Sequence, residues 1–376
     1  MARAIYICAL AAFFCVCAAA EPNVRVFESD GANTSILGVK AGRDKPGSRA
    51  ALECPLPKDG VTADVRAALD GAQKSFGGLC LGAGAVRAGF FTAQNGEPVN
   101  ARVFDFKGSA PMDAIGGETF ALGRASIALV SLAALSAEEN LSLNLDAPAG
   151  GYCSALRSSG DMSKVSIESL LGGTVCVGAL AGKIPQDISP EEYFDALAQI
   201  GFVESADASG TPGAAIAAYA LAYACDPSSK DLKKSFVRSF RKLLWDPLRI
   251  KTVKYRRADK VDFPALAFAL PPDGILKWLC CETSPNPPFS TALKIARRRL
   301  PLYPSRKYSH GWFRVDGTRN RVCCTGGALA ATTSLTAVFS AGSGSIGVSM
   351  FIEGVEAVEA EKFFKSLVSE LDGKIK

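Results

Sequence analysis

The chain has 376 residues and a net charge of +5, and 48% of its residues are hydrophobic. Its 36 glycines and 20 prolines follow no repeat, so a collagen-like or disordered class is excluded, because enough apolar surface exists to offset the chain entropy lost on folding. The length suffices for one large core or two fused cores.

The first 20 residues have the layout of a signal peptide. Arg3 precedes an apolar run, and alanines at 18–20 precede Glu21, which places small residues at a cleavage site. A membrane anchor is the alternative, but the run is shorter than the ~20 residues that a spanning helix needs. We expect residues 1–20 to be removed and the protein to be exported through the secretory pathway, with redirection to an organelle left open.

Residues 21–60 have little periodicity and are expected to form a loosely ordered lead-in. Apolar residues at helical spacing then predict a helix over 61–76. Glycine-rich turns separate short apolar runs that predict neighbouring antiparallel strands, at 79–81, 88–92 and 102–106.

The middle of the chain is predicted to be mostly helical. An apolar, alanine-rich run predicts one helix over 120–135, and an amphipathic pattern with a basic face predicts another over 233–244. Further helices are expected at 191–200 and 214–224.

The C-terminal part returns to strand patterns at 322–325, 334–340 and 345–353, followed by a closing helix over 355–371. We therefore predict an α+β fold: an antiparallel sheet formed by N- and C-terminal strands, flanked by helices, with a helical subdomain of about 120–260 inserted between the sheet-forming parts.

Nine of the 12 cysteines follow residue 20. In an exported protein we expect disulfides, but an odd number leaves at least one thiol outside any intramolecular pair, and the pairing cannot be read from spacing. The adjacent pairs at 280–281 and 323–324 lack the spacing of zinc sites, and His310 is the only histidine. Because nucleotide-binding glycine motifs are also absent, we expect neither a metal nor a cofactor.

Positive charge is concentrated in residues 230–257. One interpretation is that this segment contacts an anionic partner. The other is an ordinary solvated helix face with its following loop, which the lack of a nucleic-acid motif and of interleaved stacking aromatics favours.

Seven short segments occur in a recognisable order. They are T-F-A-L-G-R-A-S-I at 119–127, L-S-L-N-L-D at 141–146, V-S-I-E-S-L-L-G-G-T at 165–174, G-T-P-G at 210–213, L-W-D-P-L at 244–248, Y-S-H-G-W at 308–312 and C-T-G-G at 324–327. Together they resemble the motifs of class C β-lactamases, within the serine β-lactamase and penicillin-binding-protein superfamily. The resemblance spans residues 61–371 and implies a β-lactamase/transpeptidase-like fold.

In that superfamily a serine attacks an acyl carbonyl, and a lysine one helical turn later holds or takes its proton. The resemblance places Arg124 at the serine position and Ile127 at the lysine position. A guanidinium is protonated at all accessible pH values and is no nucleophile, and isoleucine has no titratable group.

The remaining motifs are also altered. The tyrosine of the proton relay aligns with Ala218, and Tyr219 lies one residue away, a rotation of about 100° on a helix. Cys324 stands where the family has histidine or lysine, whereas Thr325 and Gly326 match the family pattern. We expect none of these positions to be catalytic.

We therefore interpret the chain as a pseudoenzyme that binds a ligand or a protein partner. Two alternatives remain: a divergent hydrolase rebuilt around Cys324, Thr325 or Tyr219, and a structural component of a larger complex. Ser126 offers no substitute, because Leu129 occupies the position of its base. A cysteine–histidine pair of His310 with a cysteine at 323–324 is a further option, although a lone histidine beside a tryptophan is more often structural.

Overall fold

The architecture is taken from a computed structural model. It describes residues 40–41, 51–53, 63–106, 119–140, 142–152, 164–177, 184–185, 187–204, 211–255, 260, 263–289, 307–329, 332–341, 344–354 and 357–375. The expected signal peptide, most of the lead-in, Cys54 and Cys153 lie outside these ranges. Within them, no helix is both long enough and apolar enough to cross a membrane.

The helices, in chain order, are α1 Ala63–Gly82, α2 Ser126–Glu139, α3 Ile167–Gly172, α4 Pro190–Ile200, α5 Thr211–Cys225, α6 Leu232–Phe240, α7 Phe263–Leu266, α8 Pro272–Thr283 and α9 Ala357–Lys374. The strands are β1 Lys40–Ala41, β2 Ala51–Glu53, β3 Arg87–Gln94, β4 Glu97–Asp105, β5 Phe120–Ala121, β6 Val175–Val177, β7 Phe202–Glu204, β8 Lys254–Tyr255, β9 Phe268–Leu270, β10 Tyr308–Ser309, β11 Trp312–Arg314, β12 Arg321–Leu329, β13 Thr332–Ala341 and β14 Gly344–Glu353.

The chain divides into two compact units. The first comprises Met1–Gly123, Leu270–Asn286 and Asp316–Lys376, and the second comprises Arg124–Ala269 and Pro287–Val315.

The first unit contains an antiparallel sheet with the strand order β1-β2-β4-β3-β14-β13-β12. N-terminal and C-terminal strands meet where β3 pairs with β14, for example Phe91 opposite Ser349. The predicted α+β class, with an antiparallel sheet built from both ends of the chain, is confirmed.

Helices cover the two faces of this sheet. Successive strand residues point to opposite faces, so Phe90 and Phe91 serve different cores. On one side α1 packs through Phe76, whose ring centroid lies 5.6 Å from that of Phe90, and α9 packs beside it. On the other side α8 lies against β3 and β14, where Gly347 approaches the side chain of Leu279.

The second unit is mainly helical. Helices α2 and α5 are apolar around nearly their whole circumference and pack against each other, as expected for buried helices. Amphipathic α6 contributes Phe236 and Phe240 to an aromatic cluster with Phe268 of β9, which pairs with β8. The basic face of α6 is left at the surface.

Three predicted elements differ from those observed. The expected strand at 79–81 is wrong, because the buried spacing of α1 continues to Cys80 and the helix ends at Gly82. The expected single helix over 120–135 is a short strand, a 3-10 turn and then α2, since Gly123 adopts a left-handed φ of +48°. The basic helix ends at Phe240 and continues as a π-helical turn over Arg241–Trp245.

Gly347 and Gly71 allow a matched test of sheet packing. A Cβ at Gly347 would lie 2.6 Å from Leu279 Cδ1, so Gly347→Ala is expected to overpack α8 and destabilise the protein by about 1–3 kcal/mol. Gly71 lies inside α1, and a Cβ there would meet no atom within 4 Å outside the helix's own backbone. Gly71→Ala should therefore stabilise the protein by about 0.5–1 kcal/mol. Urea unfolding of both variants measures these changes, and equal effects would contradict this packing.

Candidate functional site

The segment that precedes Arg124 is held by contacts within the first unit. Arg87 donates a hydrogen bond of 2.9 Å from Nη2 to the carbonyl of Thr119 and forms an ion pair of 2.7 Å with Glu353. Its guanidinium also lies 4.5 Å from the centroid of the Phe120 ring. Three different interactions of the Arg87 guanidinium therefore hold the segment at Thr119 and Phe120 in place.

The next residues turn the chain into α2. The hydroxyl of Ser334 donates to the carbonyl of Leu122, and Gly123 takes up the left-handed conformation that opens the 3-10 turn Gly123–Ala125. Arg124 is the middle residue of this turn, immediately before the first turn of α2. The position that the resemblance assigns to a nucleophile is thus defined by the backbone.

Arg124 is a partly buried cation. Burial lowers the pKa of its guanidinium, and the nearby phenol of Tyr308 acts in the opposite direction. Burial also raises the pKa of Tyr308, although a hydrogen bond of 3.1 Å from the Gly311 N–H and the charge of Arg124 oppose that rise. A protonated guanidinium beside a neutral phenol can donate hydrogen bonds and attract an anion, but it cannot attack a carbonyl.

The positions that follow Arg124 offer no replacement chemistry. Ile127, which stands at the lysine position, is buried in α2. Ser126 is fully buried, and its hydroxyl has no hydrogen-bond partner among the described residues. One turn later Leu129 is also fully buried, so no base lies on that face of the helix.

Tyr219 and Ala218 lie in the interior of the second unit. Both are fully buried in α5. The ring of Tyr219 makes an edge-on contact of 5.5 Å with the ring of Phe194. Helix α5 packs against α2, so positions 127, 218 and 219 belong to one pair of helices, and Arg124 lies in the turn just before α2. Tyr219 nevertheless has the environment of a core residue.

Cys324, Thr325 and Gly326 lie on β12 in the first unit. Cys324 pairs with Ala337 and Thr325 with Thr336, so the two side chains project to opposite faces of the sheet. Burial, followed by the neighbouring Cys323, raises the pKa of the Cys324 thiol. The hydroxyl of Thr325 is buried without a hydrogen-bond partner among the described residues.

Two glycines of the matching segments are required by close backbone approaches. Gly326 has φ +121°, and a Cβ there would overlap the carbonyl oxygen of Ser334. Gly311 has φ +84°, and a Cβ there would overlap the main chain of Ala128 at the start of α2. Steric reasons that are independent of any reaction therefore require glycine at both positions.

His310 is a buried structural residue of the second unit. Its Nδ1 lies 2.7 Å from the Ser309 hydroxyl, its Nε2 lies 3.2 Å from a carboxylate oxygen of Glu168, and its main-chain N–H donates to Leu171. With both ring nitrogens engaged, it ties the turn after β10 to α3. This arrangement is evidence against the cysteine–histidine alternative.

Sequence reasoning missed Glu168 and Tyr308. A single carboxylate in the otherwise apolar start of α3 was the available signal for Glu168, but its partner lies 142 residues away. No pattern marked Tyr308 as the neighbour of Arg124. In the described part of the chain, no group of three or more His, Cys, Asp or Glu residues could hold a metal ion.

The cysteines that can be assigned there include free thiols. Cys80 and Cys324 are free, as is the exposed Cys225 at the end of α5. Burial raises the pKa of Cys80 to about 12. The disulfides expected from the sequence stay a prediction.

Comparison with known proteins identifies the fold. No family model matches the sequence, and no curated protein matches it. Among solved structures, SurE matches with a TM-score of 0.62 at 13% identity over 83% of this chain and 77% of that chain. SurE with D-Leu gives 0.61 at 13% identity over 82% and 76%. A β-lactamase from Sulfitobacter sp. EE-36 gives 0.57 at 14% identity over 82% and 99%. The chain has a β-lactamase-like fold.

The environment of Cys324 predicts slow thiol chemistry. Because its pKa is raised, its thiolate fraction at pH 7 is below that of an ordinary cysteine, and alkylation should accelerate only as the pH rises past the usual thiol range. We expect iodoacetamide to modify Cys324 at least about tenfold more slowly than N-acetylcysteine at pH 7, measured by peptide mass spectrometry.

The matched variant for this experiment is His310→Gln. If His310 is structural, the substitution lowers stability but leaves the pH dependence of Cys324 alkylation unchanged. Rapid labelling at pH 7 that His310→Gln abolishes would instead favour a rebuilt cysteine site.

Proposed function

We propose that this protein is a non-catalytic member of the β-lactamase-like fold, exported through the secretory pathway, that binds a ligand or protein partner without acylation. The observation that carries the proposal is the pair Arg124 and Ile127 at the start of α2. The two groups that this chemistry needs, a nucleophile and its base, are replaced by a permanent cation and an alkyl chain.

The other nucleophiles do not rescue the reaction. Ser126 is enclosed without a base, Tyr219 packs in the interior of α5, and the thiol of Cys324 has a raised rather than a lowered pKa. An activated nucleophile needs an adjacent base or a lowered pKa. The rebuilt hydrolase is therefore the less favoured alternative.

Arg124 suits binding better than catalysis. It is partly exposed, it is positively charged, and the backbone of the 3-10 turn fixes its place. A guanidinium offers several N–H donors in a planar fork that matches a carboxylate. We infer that a ligand of this site presents an anionic or carbonyl oxygen to Arg124.

Acyl transfer is tested directly with the purified protein. We expect no nitrocefin hydrolysis above that of heat-denatured protein, and no covalent labelling by a fluorescent penicillin, because no group among the described site positions can form the acyl bond. A cooperative thermal transition shows that the sample is folded. The variant Arg124→Ala should behave identically.

Two outcomes would overturn the proposal. One is turnover by the wild-type protein that Arg124→Ala abolishes. The other is a stoichiometric acyl adduct that peptide mass spectrometry maps to Cys324, Thr325 or Tyr219, which would establish the rebuilt hydrolase.

Export makes a separate prediction about the N-terminus. If residues 1–20 are a signal peptide, the protein isolated from its native source begins at Glu21, because small residues precede that position. Intact mass and N-terminal sequencing measure this. An N-terminus that retains Met1 would contradict cleavage.

A further inference from the structure

A basic surface of the second unit is the feature that the proposed function leaves unexplained. Residues 226–255 contain nine Lys and Arg and three Asp residues, a net charge of +6, whereas the whole chain carries +5. The remainder of the sequence is therefore slightly acidic. The positive charge of this protein is essentially the charge of one segment.

Five of these nine cations form a surface that we call the basic stripe. They are Lys230, Lys234, Arg238, Arg241 and Lys242. Lys234, Arg241 and Lys242 each lie three or four residues from Arg238, which places these four cations on one side of α6 and of the π-helical turn that continues it, over about 12 Å. Lys230 lies just before the helix begins. All five are exposed.

The opposite side of the same helix is buried. Phe236 and Phe240 pack on each other with ring centroids 4.3 Å apart, and both contact Phe268. Trp245 closes the cluster and donates a hydrogen bond of 2.9 Å to the Tyr255 hydroxyl. The helix cannot turn this apolar side outward without unfolding the cluster, so its stripe acts as a fixed charged surface.

Internal ion pairs neutralise the stripe only in part. Lys234 pairs with Asp231, Arg238 with Asp226, and Arg241 with Asp246, all at exposed or partly exposed positions. Such surface pairs are weak and screened by salt. Among the described residues, Lys230 and Lys242 of the stripe form no ion pair, so the stripe keeps an excess of positive charge.

Helix α9 at the C-terminus shows how charges are arranged on an ordinary solvated helix face. Exposed lysines of α9 each have a glutamate three or four residues away: Lys362 with Glu359, Lys365 with Glu361 and Lys374 with Glu370. That pattern is typical of a solvated helix face. The basic stripe lacks this balance.

The stripe also lacks the anchors of a protein interface. Interfaces between proteins depend on apolar or aromatic side chains that become buried at their centre. In the described ranges, the exposed large hydrophobic residues are Leu81 and Val358, both outside this segment. Adsorption to an anionic bilayer needs only charge, with each Lys or Arg near the surface contributing independently.

We propose that the basic stripe docks this protein peripherally on an anionic phospholipid surface. Phosphate groups in a plane of headgroups present closely spaced negative charge to cations spread along about 12 Å of helix. The binding is electrostatic, reversible and independent of whether the site at Arg124 is catalytic.

The test is flotation of the purified protein with vesicles of phosphatidylglycerol mixed with phosphatidylcholine, and with vesicles of phosphatidylcholine alone. We expect binding to the anionic vesicles only, and loss of binding as salt rises from about 0.05 to 0.5 M, because the Debye length falls below the headgroup spacing. The salt series on the wild-type protein requires no variant to fold.

A pair of charge-matched variants locates the surface. The triple substitution Lys230→Gln, Lys234→Gln, Lys242→Gln should weaken partitioning by roughly 100-fold. The control Lys362→Gln, Lys365→Gln, Lys374→Gln removes the same charge from α9 and should change it less than about threefold. Both sets are exposed, so thermal unfolding should remain cooperative.

Three results would overturn the docking proposal. They are the absence of binding to anionic vesicles at low salt, equal losses in the two triple variants, and tighter binding to a polyglutamate peptide or a short DNA duplex than to the vesicles at the same salt. None of them bears on acyl transfer, so the two proposals fail separately.

Discussion

One constraint holds the chain segment that ends at Gly123 in the first unit, and it is the contact of Arg87 with Thr119, Phe120 and Glu353. Burying a guanidinium is costly unless its charge is paired, and here Nη2 contacts a carboxylate and a carbonyl while the guanidinium lies over an aromatic face. This anchoring makes no use of the side chain at position 124.

Two glycines are likewise required by the packing of the backbone and not by any reaction. Gly311 lies against the main chain of Ala128, and Gly326 lies against the carbonyl of Ser334. A methyl group at either position collides with backbone, which cannot move as a side-chain tip can. Reactive side chains, by contrast, contribute little to folding and often cost stability. The glycines are therefore required by the fold, whatever reaction the protein does or does not perform.

Periodic patterns of apolar residues were sufficient to predict the helices and strands that bury one face against a core. The predicted helix at 214–224 lies within α5, and that at 355–371 overlaps α9; the C-terminal strands were found because alternation and turns agreed. The prediction of a strand at 79–81 failed because these residues fit a strand or the last turn of a helix equally well. The break at Gly123 depends on a left-handed φ that spacing does not encode.

Contacts between distant segments were beyond any local pattern. Glu168 binds His310 across 142 residues, and Tyr308 lies near Arg124 only because β10 returns to the start of α2. The altered positions themselves could be named from the sequence, because they depend on matching short segments in order. Their environments could not, since burial and pKa are properties of the assembled chain.

The alternation of β12 has a consequence for anyone who wishes to install new reactivity in this scaffold. Thr325 shares its sheet face with Thr336 and Ser349, whose hydroxyls are 2.9 Å apart, whereas Cys324 faces the other way. A thiol introduced by Thr325→Cys would lie on the same buried sheet face as these two hydroxyl groups. The cysteine already present would reach that face only if the strand gained or lost a residue.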